Sequence, residues 1–171
     1  YSATVTMSDG TNLSTQDFTV TVTDIDDTAP TFTSGATFSG DENQTSIGTV
    51  TATDTDTDDS SIVFSVSGSE LSITSGGVLT FNSAPDYETK SSYTATVTAS
   101  DGTNSATQDI TVNVTNLNDN SPSFTSRVTF SAEENQSSIG TVTATDEDSD
   151  TIGFSLSGTD ASSMSINSSS G

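Results

Sequence analysis

The segment YSATVTMSDGTNLSTQDFTVTVTDIDDTAPTFT, beginning at Tyr1, returns as YTATVTASDGTNSATQDITVNVTNLNDNSPSFT at Tyr93, 92 residues later. A copied segment of this length constrains the fold more than any other feature, because each copy must build the same unit and the units must follow in series. The same offset carries DENQTSIGTVTATDTD at Asp41 onto EENQSSIGTVTATDED at Glu133. After Asp150 the offset drops to 90, where FSVSG at Phe64 meets FSLSG at Phe154. These offsets predict one whole unit at residues 30–121, the last strands of a preceding unit plus a linker at 1–29, and the front of a following unit at 122–171. The chain reads as a window on a longer array. No secretory leader is visible, and Tyr1 is not a natural start of translation.

Inside the unit the apolar period is two, not 3.6. Val50 and Ala52 alternate with threonines, Ile62, Phe64 and Val66 with polar neighbours, and Tyr93, Ala95, Val97 and Ala99 do the same, as do Ile110, Val112 and Val114. Leu71–Ile73 and Val78–Phe81 flank Gly76-Gly77, a hairpin signal, and Asp101-Gly102-Thr103-Asn104 is a turn between the last two long strands. With a short strand after Pro30 this gives about seven strands and no helix. The prediction is an all-β fold of tandem, immunoglobulin-like Greek-key β-sandwich repeats. Only 29% of residues are hydrophobic and 6% aromatic, so the core must be thin. Threonine suits the outer face of such sheets.

Charge narrows the function. The chain has 24 acidic and two basic residues, a net charge of −22. It therefore has nothing with which to neutralise nucleic-acid phosphates, and an anionic membrane repels it. No apolar run reaches 18 residues, so no membrane insertion is expected of this segment. Without cysteine or histidine, thiol chemistry, disulfides and the commonest zinc ligand are excluded. Charge of this size invites counter-cations.

The oxygen-bearing residues recur at fixed places. Linkers DIDDTAP (Asp24–Pro30) and NLNDNSP (Asn116–Pro122) separate the units, and each following strand ends in Asp-x-Asp, at Asp54/Asp56 and Asp146/Asp148. Asp9 and Asp101 open the two DGTN turns, Glu42-Asn43 and Glu134-Asn135 sit early in their units, and Asp86-Tyr87-Glu88 precedes Tyr93. The i, i+2 spacing puts both carboxylates of a pair on one side of an extended segment. Hard oxygen donors in this number suit Ca²⁺ with its six to eight ligands, whereas Mg²⁺ demands a tighter octahedron. Recurrence separates these sets from Asp58-Asp59, read as a solvated face, and Lys90 reads as a solvated lysine. The Asn-x-Ser/Thr sequons at Asn12, Asn43, Asn113, Asn135 and Asn167 are incidental in a Ser/Thr-rich chain.

In this order, Glu42-Asn43, ATDTD (Ala52–Asp56), DYE, ASDG (Ala99–Gly102) and NLNDNSPSF resemble the cadherin extracellular repeat family. The resemblance implies three Ca²⁺ ions at each junction between repeats. At the second junction it implies Glu42, Asp86 and Glu88 as ligands, with Asn116, the Leu117 carbonyl, Asn118, Asp119 and the Asn120 carbonyl from the linker, and Asp146 and Asp148 beyond it. At the first junction it implies Asp24, the Ile25 carbonyl, Asp26, Asp27, Thr28, Asp54, Asp56 and Asp101. The sequence departs from the family where Asn116 replaces the usual Asp, and where Asp26 and Thr28 replace the usual Asn. The short repeat and the absence of Trp, which removes any Trp-anchored strand exchange, suggest a bacterial-type array.

Three function classes follow. An enzyme needs a carboxylate dyad in a pocket, and a thin sandwich without insertions offers none, so no enzymatic activity is expected. A carbohydrate-binding module of a polysaccharide-interacting protein is the alternative, but sugar platforms want exposed aromatics. The leading expectation is an extracellular, secreted or cell-surface adhesive strut, stiffened by calcium. Its partners would be neighbouring repeats and other copies in a filament or adhesive contact.

Overall fold

The structure, a computed structural model, describes residues 1–56 and 59–171. The chain opens with a hairpin, β1 (Ser2–Ser8) and β2 (Leu13–Thr19). Then follow β3 (Thr31–Phe32), β4 (Thr37–Asp41), β5 (Ser46–Thr49), β6 (Ala52–Thr53), β7 (Val63–Val66), β8 (Leu71–Ile73), β9 (Val78–Phe81), β10 (Ser92–Ser100) and β11 (Ser105–Thr115). Two short strands close the series, β12 (Ser123–Phe124) and β13 (Ala144–Thr145).

Strands β3 to β11 build a two-layer sandwich. One sheet runs β4-β11-β10-β7 and the other β5-β9-β8, with β3 and β6 paired beside them. Alternation along β10 and β11 turns Val97, Ala99, Ile110, Val112 and Val114 inward, where they meet Val50, Leu71, Leu79 and Phe81 from the opposite layer. Phe81 packs edge-on against Tyr93, with ring centroids 5.1 Å apart. Lys90 is not a freely solvated lysine: its ammonium pairs with Glu70 and lies 4.3 Å from the centroid of the Tyr93 ring.

The first expected strand is in two pieces that serve different sheets. β3 pairs antiparallel with β6, whereas β4 pairs parallel with β11, with Thr37 opposite Thr111 and Asp41 opposite Thr115. The strand changes partner through Ser34-Gly35: Thr33 and Ser34 still donate to the Thr51 carbonyl, but Ala36 accepts from Thr111 N–H. This crossing delivers Glu42, one residue beyond β4, to the end of the sandwich where β11 runs into the linker.

In the flanking segments, residues opposite their repeat counterparts are bare. β1 and β2 keep the β10–β11 register, yet Val5, Phe18 and Val20 are exposed where Val97, Ile110 and Val112 are buried. β12 pairs with β13 as β3 does with β6. Phe154–Gly158, aligned with β7, forms no strand, whereas β7 is held by β10.

Gly77 tests the hairpin. Its φ is +87°, and a Cβ there would stand 2.2 Å from the Val50 carbonyl oxygen, while Gly76 has room for one. Gly77→Ala is expected to lower stability by roughly 2–4 kcal/mol from strain and overlap together. Gly76→Ala should change it by less than about 1 kcal/mol. Equal denaturant midpoints for the two variants would contradict this packing.

Candidate metal centre

The second linker is gripped from both sides by buried carboxylates. Glu42 is 1% exposed. One of its oxygens accepts from Leu117 N–H at 2.7 Å and the other from Tyr87 N–H at 2.9 Å. A buried carboxylate with no cation at hand needs such donors. The contact joins the DYE loop, between β9 and β10, to the linker after β11. From the far side, Asp148 Oδ2 accepts from Asp119 N–H at 3.0 Å and Asn120 N–H at 2.8 Å, and its Oδ1 accepts from the Asn120 amide at 3.1 Å. Asn116 donates its amide to the Asp148 carbonyl at 3.1 Å.

This folding crowds negative charge. Glu42, Glu88, Asp119 and Asp148 each place an oxygen within 4.8 Å of the others. Asp146, Asp148 and Asp150 form a second such group, sharing Asp148. Glu88 Oε1 and Asn116 Oδ1 are buried without a hydrogen-bond partner. An acidic cleft of about 650 Å³ opens beside them, with Asp86 and Glu147 on its wall. An all-oxygen donor set with orphaned buried oxygens fits a hard divalent cation. Asp86 stands slightly apart, its carboxylate accepting from the Thr89 hydroxyl at 3.0 Å and Thr89 N–H at 3.2 Å. Those bonds hold it below the usual aspartate range, the hydroxyl contributing most.

The first linker repeats the grip 92 residues earlier. Asp56 Oδ2 accepts from Asp27 N–H at 3.1 Å, Thr28 N–H at 2.9 Å and the Thr28 hydroxyl at 2.8 Å, as Asp148 does with Asp119 and Asn120. The Thr28 hydroxyl, then the two N–H groups, hold the Asp56 carboxyl low. Asp54 accepts from Asp56 N–H at 2.8 Å. Asp101 Oδ1 accepts from Thr103 N–H and Asn104 N–H, closing its turn, and its Oδ2 is buried without a partner.

Some sequence candidates stay outside these contacts. Among the described residues, Asp24, Ile25 and Asn118 are exposed and their side chains make no hydrogen bond. Three participants went unassigned from sequence. Asp150 extends the Asp146-x-Asp148 alternation by one step, a signal visible in DEDSD. Glu147 lines the cleft. Asn104 donates to Asp26 Oδ1 at 3.1 Å, and its recurrence as Asn12 was the available clue. Asp59, expected on a solvated face, accepts from Asp54 N–H at 2.8 Å and so shapes the Asp54–Asp56 loop. Asp58 lies outside the described residues.

A family model described as the cadherin domain matches residues 36–115. The human Cadherin EGF LAG seven-pass G-type receptor 2 is 37% identical over 144 residues, covering 75% of this chain and 5% of the receptor. The mouse Cadherin EGF LAG seven-pass G-type receptor 1 is 43% identical over 77 residues, covering 43% of this chain and 2% of the receptor. The chain thus spans a small fraction of these relatives. Among solved structures, mouse Cadherin-23 EC22-24 superposes with a TM-score of 0.72 over 99% of this chain and 61% of that one, at 22% identity, a likeness of fold. Protocadherin gammaB7 EC3-6, solved as a cis-dimer, gives 0.70 at 26% identity over 88% of this chain and 44% of that one.

The crowded carboxylates have opposed titrations. Burial first, then the charges of Glu42 and Asp148, push Glu88 above its ordinary value of 4.5. Burial pulls Asp148 upward too, but the N–H and amide of Asn120 and the N–H of Asp119 outweigh it, leaving Asp148 below 3.8. With calcium chelated, ionised Glu88 therefore opposes folding above its raised pKa, and protonation relieves this as pH falls towards 4.5. The Asp148 contribution is present above 3.8 and is lost as pH falls through its lowered pKa. Carbon-detected NMR titration is expected to give these two midpoints in that order, with Glu42→Gln lowering the Glu88 midpoint. The reverse order would contradict the packing.

Proposed function

From the match of a cadherin-domain model to residues 36–115 we propose that the chain is a length of extracellular, adhesive rod of cadherin-type repeats, stiffened by calcium. The observation that carries the reading is the group of four carboxylates, Glu42, Glu88, Asp119 and Asp148, drawn within 4.8 Å from the body of one unit, the linker and the segment beyond it. Like charges so placed repel, and a divalent ion shared between them turns the repulsion into attraction. Since the donors lie on both sides of the linker, the ion ties together what the linker alone would leave hinged. Division of the chain at residues 29/30 and 121/122 belongs to the same reading.

At the second junction Glu42, Asp86, Glu88, Asp119, Asp146 and Asp148 would hold the ions, with Asn116, Asn118 and the Leu117 and Asn120 carbonyls completing the shell. At the first, Asp24, the Ile25 carbonyl, Asp26, Asp27, Asp54, Asp56 and Asp101 would serve, with Thr28 fastening Asp56. Each ion present at ten to a hundred times its Kd adds about 1.4–2.7 kcal/mol to the bound arrangement. Several ions per junction are then worth as much as a small domain's stability. The partners proposed are adjoining repeats and other copies of the rod. The sandwich gives a polysaccharide no aromatic platform among its described residues, because Phe32, Phe38, Phe64, Phe81, Tyr87 and Tyr93 all pack into it.

Calorimetry on the chain is expected to show calcium uptake saturating at about 0.1–1 mM. Asp119→Ala and Glu88→Ala should each weaken it at least about tenfold. Asp109→Ala should leave it unchanged, because Asp109 accepts from the Thr96 hydroxyl at 2.7 Å on the outer face of the β10–β11 pair. Equal losses in all three variants would refute the ligand assignment. Small-angle scattering on three or more repeats should give a larger maximum dimension in calcium than in chelator. An unchanged dimension would refute the stiffening.

A further inference from the structure

We propose that Asn43 is a positioning residue of the second junction: its amide fastens Asp119, and with it the linker, to the sandwich before any ion arrives. The inference rests on the calcium reading for its purpose, though the fastening itself does not. Asn43 stands next to buried Glu42, and its backbone has φ +61°, a left-handed conformation that few residues besides Gly and Asn adopt readily. Its N–H donates to the Pro85 carbonyl at 2.9 Å, which fixes this turn against the loop carrying Asp86 and Glu88. From there the side-chain amide donates to Asp119 Oδ2, across a sequence separation of 76 residues.

Glu42 and Asn43 therefore act as two adjacent prongs on the linker. Glu42 accepts from the backbone N–H of Leu117, and Asn43 donates to the side chain of Asp119. The second Asp119 oxygen accepts from the Asn120 amide at 2.9 Å. Two neutral amides thus hold the linker's only carboxylate in place among three others that repel it. A charged donor would compete with a cation for Asp119, whereas an amide orients it and leaves lone pairs free. At this φ glycine would lack the side-chain donor and aspartate would bring a like charge, whereas asparagine supplies both the conformation and the amide.

Asn135 supplies an internal control. It lies 92 residues on, has φ +66°, and its side chain makes no hydrogen bond among the described residues. Replacing either Asn by Gly relieves the backbone and removes the amide, so only the Asn43 change removes a contact to a linker.

The test is hydrogen exchange on the 171-residue chain in chelator, read at the Leu117, Asp119 and Asn120 amides, followed by calcium calorimetry. Asn43→Gly is expected to speed linker exchange about tenfold and to weaken calcium binding about tenfold, as loss of one charge-assisted hydrogen bond implies. Asn43→Asp, which sets a second carboxylate against Asp119, should speed exchange further. Asn135→Gly should leave both readings as in the unaltered chain. Unchanged linker exchange in Asn43→Gly, or equal changes in the Gly variants at 43 and 135, would overturn the proposal. Faster exchange in Asn43→Gly, in a chain that takes up no calcium, would uphold the fastening and overturn the calcium reading instead.

Discussion

Two carboxylates meet one linker from opposite sides, Glu42 on the N–H of Leu117 and Asp148 on the N–H groups of Asp119 and Asn120. The arrangement of the junction depends on this. A buried carboxylate is costly unless donors surround it, and this chain has only two basic side chains to offer. Lys90 is engaged with Glu70, and Arg127 lies over the Phe130 ring. Backbone N–H groups, asparagine amides and threonine hydroxyls are the donors that remain. They orient the carboxylates without cancelling their charge, so negative potential accumulates where the units meet.

The sandwich exists, in this light, as the scaffold that brings distant acids together. The transfer of the first strand from β6 to β11 carries Glu42 along the last strand to its end. The loop between β9 and β10 brings Glu88 to the same edge, and the following segment adds Asp148. None of these lies within 28 residues of another in sequence, yet all offer oxygens within one metal-sized space. The core that supports this is thin and is built of Val, Ile, Leu and Phe at alternating positions.

The two linkers reach a similar geometry with different chemistry. At the first, Thr28 donates a hydroxyl to Asp56 and Asn104 donates its amide to Asp26. At the second, Asn120 and Asn116 supply amides to Asp148. The second linker thus carries one carboxylate where the first carries three. The second linker offers three amides in place of the lost charge.

Much of this was legible in the chain itself. The period of two determined strands, and Gly76-Gly77 and DGTN determined turns, because each depends on local sterics or on neighbours a few residues away. Recurrence of the acidic clusters at a 92-residue offset singled them out from the other charged residues. Tertiary structure alone decided which acids converge, since that depends on strand partners. Phe154–Gly158 repeats the β7 region nearly letter for letter but forms no strand, so local sequence alone does not make one there. Asp59 is exposed, as solvated charge should be, and only the fold shows that it also accepts from the Asp54 N–H. Asn43 is a local turn residue by its φ, and became a fastening for the linker only because β4 runs parallel to β11 and ends beside it. Short-range stereochemistry is written in sequence. The partner a side chain meets 76 residues away is written only in how the sheets pair.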